Sequence, residues 1–277
     1  LGRSIVPIMC AGFRGHQGEG ADIALAALIR GFARAEPSAR EPGSVNLVAP
    51  FMSENPGWMA DLAWVKRVLR ALGLKVNATL TCRTPLEEIR RAGRAEASIL
   101  LSHNAGYAVA ELLEREMGIP VVARDVPLPV GFTATTRWVR AIAAHFGVEE
   151  RARRFIAREE SRVVSVLKLR YLPIHWFHGQ ETAVVGDLTV GLGLVEFAAA
   201  DLEMEPRYLG FRPCSSPVAE GMVRAALSRL GISPRVRFHV DLTTVARDLA
   251  ETRPYSVFGS LVEEQLAHGA GVRHVFK

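Results

Sequence analysis

A-S-I-L-L-S-H-N-A-G-Y-A-V-A-E-L-L-E-R-E-M-G-I-P-V-V-A-R, residues 97–124, is the stretch that decides the fold. It begins with a short apolar run (97–102), turns through a few polar and small residues, and continues as a stretch of helical period (107–118) closed by Gly118. A second apolar run follows at 119–124. Strand, helix and strand in such quick succession form a βαβ unit, and a βαβ unit makes its two strands parallel.

The same rhythm extends in both directions. Upstream, S-I-V-P-I-M (4–9) reads as a strand entering a glycine-rich loop, C-A-G-F-R-G-H-Q-G-E-G-A-D (10–22), and then an alanine-rich helix. V-N-L-V-A-P (45–50) precedes a helix at 58–73, and L-K-V-N-A-T-L-T (74–81) precedes T-P-L-E-E-I-R-R-A (84–92). In that last stretch Thr84 fits an N-cap, Pro85 the first helical position, and Glu87 the far side of a capping box. A further helix at 133–147 leads into a basic helical stretch from Glu149 to about Leu169, which breaks the rhythm and acts as a connector. A second series then runs strand 182–187, helix 189–202, strand 207–212, helix 217–230, strand 236–241, helix 243–252, strand 255–259, helix 261–268 and strand 272–276. The pattern predicts an α/β protein of two Rossmann-like parallel-sheet units joined by a helical connector, with one domain over 1–170 and the other over 171–277.

Composition narrows the class. With 277 residues, 49% of them hydrophobic, the chain has material for a large core in one or two domains. The 34 Lys and Arg are spread along helices against 29 acids, and the densest cluster, R-A-R-R at 151–154, reads as a solvated helix face rather than a nucleic-acid surface. The net charge of +5 would equally serve an acidic protein partner or an anionic cofactor. Three cysteines, Cys10, Cys82 and Cys214, form no C-x-x-C pair and point to a reducing compartment. No apolar run reaches the about 18 residues of a membrane span, so a cytoplasmic protein without membrane contact is expected. The chain opens on Leu1, close to an apolar run, which reads as part of a longer gene product.

In an open parallel sheet, ligands bind where strands end and loops turn into helices. The opening loop carries Gly12, Gly15, Gly18 and Gly20, but in neither the P-loop nor the dinucleotide spacing. Its glycines permit close backbone approach, while Arg14, His16 and Gln17 supply directed polarity. The competing reading is an ordinary tight βα turn whose polar residues face water. For Cys10, after an apolar run, the competing reading is a small packed hydrophobe.

These residues carry a resemblance. C-A-G-F-R-G-H-Q-G-E-G-A-D-I-A is similar to the C-E-G-F-R-G-x-S-Q-S-x-G-H-x-I-A segment of the nitrogenase component 1 family, in the branch of the molybdenum–iron protein alpha chains, although the spacing departs after Gly15. The match continues in order through V-N-L-V-A-P, T-P-L-E-E-I-R-R-A-G-R-A-E-A-S-I-L-L-S, L-E-R-E-M-G-I-P and T-T-R-W-V-R-A-I-A-A-H-F-G. It ends with R-P-Y-S-V-F-G-S-L-V-E-E-Q-L-A and covers essentially the whole chain.

The resemblance implies an oxidoreductase subunit that pairs with a homologous component 1 subunit and takes electrons from an ATP-dependent iron–sulfur reductase protein. A metal cluster or small-molecule substrate would lie between the domains. The candidate binding residues it implies are Cys10, Phe13, Arg14, His16 and Gln17 in the opening loop, and Ser102, His103 and Asn104 after the strand at 97–102. Gly186, Asp187, Thr189, Gly259 and Ser260 complete the set in the second unit. Arg14 and Gln17 would face an anionic cluster or substrate.

The departures are as informative. Ser102 stands where nitrogenases place the cofactor-ligating cysteine, and a hydroxyl is a poor soft-metal ligand beside a thiolate. The arginines of the family's glycine-rich loop are absent from V-V-G-D-L-T-V-G-L-G (184–193), where Asp187 or Thr189 would instead cap the following helix. An iron–sulfur or related metal cluster is therefore expected only in the full assembly, and the departures favour a different cofactor or a tetrapyrrole-like substrate over dinitrogen. Two other readings stay open: a non-catalytic scaffold for metal-cofactor assembly, and a nucleotide- or sugar-utilising two-domain enzyme.

Overall fold

The computed structural model describes residues 5–10, 12, 15–48, 57–124, 126, 128–170, 174–214 and 216–277. In chain order the first elements are α1 (Gln17–Phe32), β1 (Glu41–Val48), α2 (Trp58–Leu72), β2 (Lys75–Leu80), α3 (Leu86–Arg91), β3 (Ala95–Leu100), α4 (Tyr107–Met117) and β4 (Val121–Val122). Two long helices follow, α5 (Gly131–Phe146) and α6 (Glu149–Arg170). The remainder is β5 (Glu181–Gly186), α7 (Leu188–Glu196), β6 (Glu205–Phe211), α8 (Ala219–Leu230), β7 (Arg235–Phe238), α9 (Leu242–Thr252), β8 (Ser256–Phe258), α10 (Leu261–Gly269) and β9 (His274–Phe276). The chain divides into two compact units, one of Leu1–Pro127 with Trp138–Ala157 and one of Leu128–Arg137 with Arg158–Lys277.

The first unit holds a four-stranded sheet in the order β2-β1-β3-β4, every pair parallel. Ser44 to Val48 of β1 are all buried, the near-continuous burial expected of a central strand covered on both faces. Two asparagines inside this core satisfy each other: Asn77 Nδ2 donates to Asn46 Oδ1 at 2.8 Å, and Asn46 Nδ2 donates to the Ala92 carbonyl at 2.9 Å. On one side α1 and α4 bury Ala26 and Ile29 with Val109, Ala110 and Leu113 in one cluster. Gly118 ends α4 in the left-handed region at φ 64°, with its N–H on the Glu114 carbonyl and the Ile119 N–H on that of Leu113, a closure only glycine adopts without strain.

The second unit holds five parallel strands in the order β7-β6-β5-β8-β9. Alternation along β5 sends Val184 to one face, with Leu192, Val195 and Met222 of α7 and α8, and Ala183 and Val185 to the other, with Val245 and Leu249 of α9. Buried charges in this unit are paired. Glu196, 2% exposed, is bridged by Arg137 and Arg229, and the fully buried Asp248 accepts from Arg237 Nε at 2.7 Å.

The two parallel sheets agree with the sequence reading, while several local expectations do not hold. Residues 5–10 form no strand, and Ile5 and Met9 are each 88% exposed. Pro7 has no N–H to give a ladder. The segment instead lies along α1, where Val6 comes so close to Gly31 that a Cβ there would stand 2.4 Å from its Cγ2. Cys10 is accordingly exposed and is no packed hydrophobe.

Thr84 builds no capping box. Its hydroxyl accepts from the Thr81 N–H at 2.8 Å and lies 2.7 Å from the Thr79 and Thr81 carbonyls, closing the turn after β2, and α3 starts past Pro85 without a side-chain cap. The helix expected over 189–202 does form, as α7 continued by a π-helical turn at Phe197–Asp201. That turn presents Asp201 to the start of α5, where it accepts from the Phe132 N–H at 2.7 Å and the Thr133 N–H at 3.1 Å. No helix among the described residues is long and apolar enough to cross a membrane.

Candidate functional site

Strand order fixes where each unit can hold a ligand. In the first unit the chain leaves β1 for β2 on one side and returns to β3 on the other, so the crevice lies at the carboxyl ends of β1 and β3. The Leu101 N–H donates to the Val48 carbonyl at 2.9 Å, carrying the β1–β3 pairing one residue past β3. The six residues from Leu101 to Gly106 are then all buried, with Ser102, His103 and Asn104 only 3%, 1% and 3% exposed. Burying that much polar loop demands internal partners. The Asn104 N–H donates to Ser102 Oγ at 3.2 Å, and His103 Nε2 lies 2.9 Å from the Arg124 carbonyl. Since a carbonyl only accepts, His103 donates to it from Nε2. Asn104 Oδ1 is buried with no hydrogen-bond partner among the described residues.

The opening segment is tied to the same crevice by a residue the sequence reading did not single out. Asp22, on the first turns of α1, is 5% exposed and accepts from the α4 amides of Ala108 at 2.7 Å and Val109 at 3.0 Å. Burial pushes its carboxyl above the usual range, and the two amide bonds offset this only in part. A carboxylate on one helix thus caps the helix that follows the buried loop. At the head of α1, His16 is the N-cap and accepts from the Glu19 N–H through Nδ1 at 3.3 Å, while its Nε2 is buried without a partner among the described residues. Gln17 beside it is exposed, and Cys10 Sγ donates to the Gly20 carbonyl at 3.5 Å. Phe13 and Arg14 lie outside the described residues.

In the second unit the corresponding crevice lies at the ends of β5 and β8. Gly186 closes β5, Asp187 is the N-cap of α7 by its backbone but makes no side-chain cap bond, and Thr189 is buried at 3%. Gly259 and Ser260 follow β8. Ser260 N-caps α10 in a capping box: its Oγ accepts from the Val262 N–H at 3.2 Å, and Glu263 accepts from the Ser260 N–H at 2.8 Å.

The two loops are joined by Arg212, one residue past β6. Its Nη2 is 2.7 Å from Glu263 Oε1 and 3.5 Å from Ser260 Oγ, and its Nη1 is 3.9 Å from Asp187 Oδ2. Burial of Glu263, 1% exposed, works to raise its carboxyl, but the Ser260 hydroxyl and the Arg212 guanidinium outweigh that and hold it below the usual range. An arginine from the end of β6 thus stands beside the loop after β5. Glu263 had a readable signal, since S-x-x-E at 260–263 is the capping-box pattern. Arg212 and Asp22 had none, because each acts through a tertiary contact.

A metal cluster does not fit the described residues by themselves. Cys10 and Cys82 are exposed and Cys214 is half-buried, and no group of three or more His, Cys, Asp and Glu among the described residues could hold a metal ion. The model for the nitrogenase component 1 type oxidoreductases matches residues 2–276. The chain belongs to that family.

Among its relatives is the B-type chain of the light-independent protochlorophyllide reductase of Halorhodospira halophila, 24% identical over 275 residues, 97% of this chain and 50% of the relative. The corresponding chain from Chlorobium luteolum is 28% identical over 206 residues, covering 70% and 38% of the two chains. The nitrogenase molybdenum–iron protein alpha chain of Methanothermobacter marburgensis is 28% identical over 158 residues, covering 56% and 32%. The solved structure of nitrogenase Cp1 at pH 6.5 superposes with a TM-score of 0.74 at 17% identity, over 95% of this chain and 58% of that one, a likeness of fold. This component 1 chain spans about half the length, or less, of the curated relatives it matches.

The two crevices of this component 1 chain carry different polar groups. Among the described residues the first has a hydroxyl, an imidazole and an amide, at Ser102, His103 and Asn104. The second offers a guanidinium clamped by a buried carboxylate.

Proposed function

We propose that this chain is the substrate-binding subunit of a nitrogenase-like reductase, holding a reducible organic molecule at its carboxyl-end loops and working with a homologous component 1 subunit and an ATP-dependent iron–sulfur reductase protein. The observation that carries the reading is the buried Ser102-His103-Asn104 loop at the first unit's switch point. Three polar side chains withdrawn from water where such folds bind ligands suit hydrogen bonding to an organic substrate, and a hydroxyl at the position of a soft-metal thiolate suits it better than metal ligation. The substrate class favoured is a tetrapyrrole, by analogy with the protochlorophyllide reductase relatives. Any cluster used in the reaction would be supplied by the full assembly, and no step is assigned to it in this chain.

The residues' part in the chemistry is to bind and orient. Ser102, His103 and Asn104 place a hydroxyl, an imidazole bonded to the Arg124 carbonyl through Nε2, and an amide at the strand end, where they would orient a substrate. Arg212, held by Glu263, supplies donors to developing negative charge.

Mixed with a sister component 1 subunit and the reductase protein, the chain should support ATP-dependent reduction of protochlorophyllide. Asn104→Ala should lower that rate about tenfold, equivalent to about 1.4 kcal/mol, without changing assembly. An assembled complex that binds a cluster yet reduces nothing would replace this reading with a scaffold, and failure of the three proteins to assemble would defeat both.

A further inference from the structure

His103 is held by a turn 21 residues further along the chain. β4 ends at Val122, and Ala123, the next residue, is left-handed at φ 56°. The chain turns there, with the Val126 N–H donating to the Ala123 carbonyl at 3.1 Å, and the Arg124 carbonyl comes to lie 2.9 Å from His103 Nε2. We infer that Glu114, in the last turn of α4, is a positioning residue for His103, acting through this turn; this rests on reading the 102–104 loop as the substrate site.

Glu114 holds the turn from both sides. Its Oε1 accepts from the Val121 N–H at 3.4 Å, two residues before Ala123, and its Oε2 from Arg124 Nη2 at 2.7 Å, one residue after it. Arg124 Nε is buried without a hydrogen-bond partner among the described residues, which makes the Nη2 bond to Glu114 the tether of this side chain. A left-handed alanine is sparsely populated and persists only where its surroundings over-determine it. β4 supplies little of that constraint, being two residues long. A carboxylate bridging Val121 and Arg124 supplies the rest. Without the bridge Ala123 relaxes to an ordinary backbone conformation, and the Arg124 carbonyl moves off His103.

The consequence for the site is chemical. A carbonyl bonded to Nε2 fixes the plane of the imidazole and keeps a proton on that nitrogen. Released from it, the ring can turn about χ2, and a substrate bound at the loop would meet a mixture of ring orientations instead of one. The competing reading is an ordinary ion pair on a helix surface, of the kind that Glu111 and Arg115 make on the same helix at 2.8 Å. The two pairs differ in burial, the Arg115 side chain being 74% exposed and that of Arg124 26%. They also differ in what they hold. Glu111 and Arg115 are both on α4, whereas Glu114 ties α4 to the turn past β4.

Proton NMR of the intact 277-residue chain, isotope-labelled at the histidine ring nitrogens and assigned through His103→Gln, reads the ring directly. The Nε2–H proton of His103 should give a resolved resonance, and in Glu114→Ala it should exchange with water about tenfold faster. Arg124→Ala should also accelerate it, and the double variant should add little to Glu114→Ala, because both changes cut one tether. Glu114→Gln keeps an acceptor and should restore most of the protection, while Glu111→Ala should leave exchange as it is. In the assembled complex Glu114→Ala should lower kcat/KM for protochlorophyllide about threefold per folded chain. Unchanged exchange in Glu114→Ala, an equal acceleration in Glu111→Ala, or full reductase activity of Glu114→Ala would each overturn the positioning role. Should Glu114→Ala fail to fold, Arg124→Ala decides, and unchanged protection there would overturn it as well. A complex that reduces nothing, while exchange still follows Glu114, would sink the redox reading and leave the positioning of His103 standing.

Discussion

The carboxyl-end loop of the first unit and that of the second occupy the same topological place and are held in opposite ways. At 101–106 the chain buries six consecutive residues that include no Asp, Glu, Lys or Arg, and Asp22 of α1 is committed to two amides of α4. At the second crevice the loops are short, and a buried carboxylate, Glu263, clamps a guanidinium that reaches from the end of a third strand. Topology therefore settles where a crevice opens, while side-chain chemistry settles whether its described loops are held by amide contacts or by an ion pair. An ion pair at a crevice fixes a donor in space.

If the second crevice depends on its ion pair, removing Glu263 should be the most damaging single change in either. Glu263→Ala leaves Arg212 without its main partner. The loss should be about 2–3 kcal/mol, below the 3–5 expected of a fully buried pair because the Arg212 side chain is 36% exposed. Urea unfolding of the two proteins measures it, and Glu263→Gln, which keeps the bond to the Ser260 N–H, should lose less. In the first crevice the corresponding change is Asp22→Ala, which strips two α4 amides of their acceptor and should cost about 1–2 kcal/mol, as for other lost helix caps. A larger loss for Asp22 than for Glu263 would break the contrast between an amide-held and an ion-paired crevice.

What the sequence disclosed and what it concealed follow from the range of the interactions. Parallel sheets were legible because the strands around Val45–Val48, Ile99 and Val184 are buried on both faces and read as continuous apolar runs between helical periods. The loops that end those strands were legible for the same reason, and so were Ser102, His103, Asn104, Asp187 and Ser260 as residues of those loops. The roles of Asp22 and Arg212 were not, because their partners are 86 and 51 residues away along the chain and no local pattern marks the contact. Two local patterns misled. Residues 4–9 look like a strand by hydropathy, but Pro7 denies the ladder a donor and the segment lies against Gly31 instead. T-P-L-E-E looks like a capping box, but the turn after β2 claims the Thr84 hydroxyl first, and it is Glu88 that reaches back, to accept from the Thr79 N–H at 2.8 Å.

The smallest effect expected is also the one that distinguishes the two crevices most sharply, because the acids Asp22 and Glu263 are displaced in opposite directions. Burial raises the Asp22 carboxyl in the folded protein, so as pH rises through the usual carboxylate range the unfolded chain releases its proton first, and stability is lost until the displaced value is passed. At Glu263 the Ser260 and Arg212 bonds overcome burial and lower the carboxyl, so its contribution is present above the usual range and lost as pH falls through the displaced value. Unfolding free energies of the wild type, Asp22→Asn and Glu263→Gln, measured between about pH 3 and pH 7, should therefore give difference curves of opposite slope. The advantage of the wild type over Asp22→Asn should shrink as pH rises from the acid end, and its advantage over Glu263→Gln should grow. Both slopes should be smaller than the truncation losses, since neither substitution empties its site. Parallel curves would mean that the two carboxylates sit in equivalent surroundings, and the division into an amide-held and an ion-paired crevice would not stand.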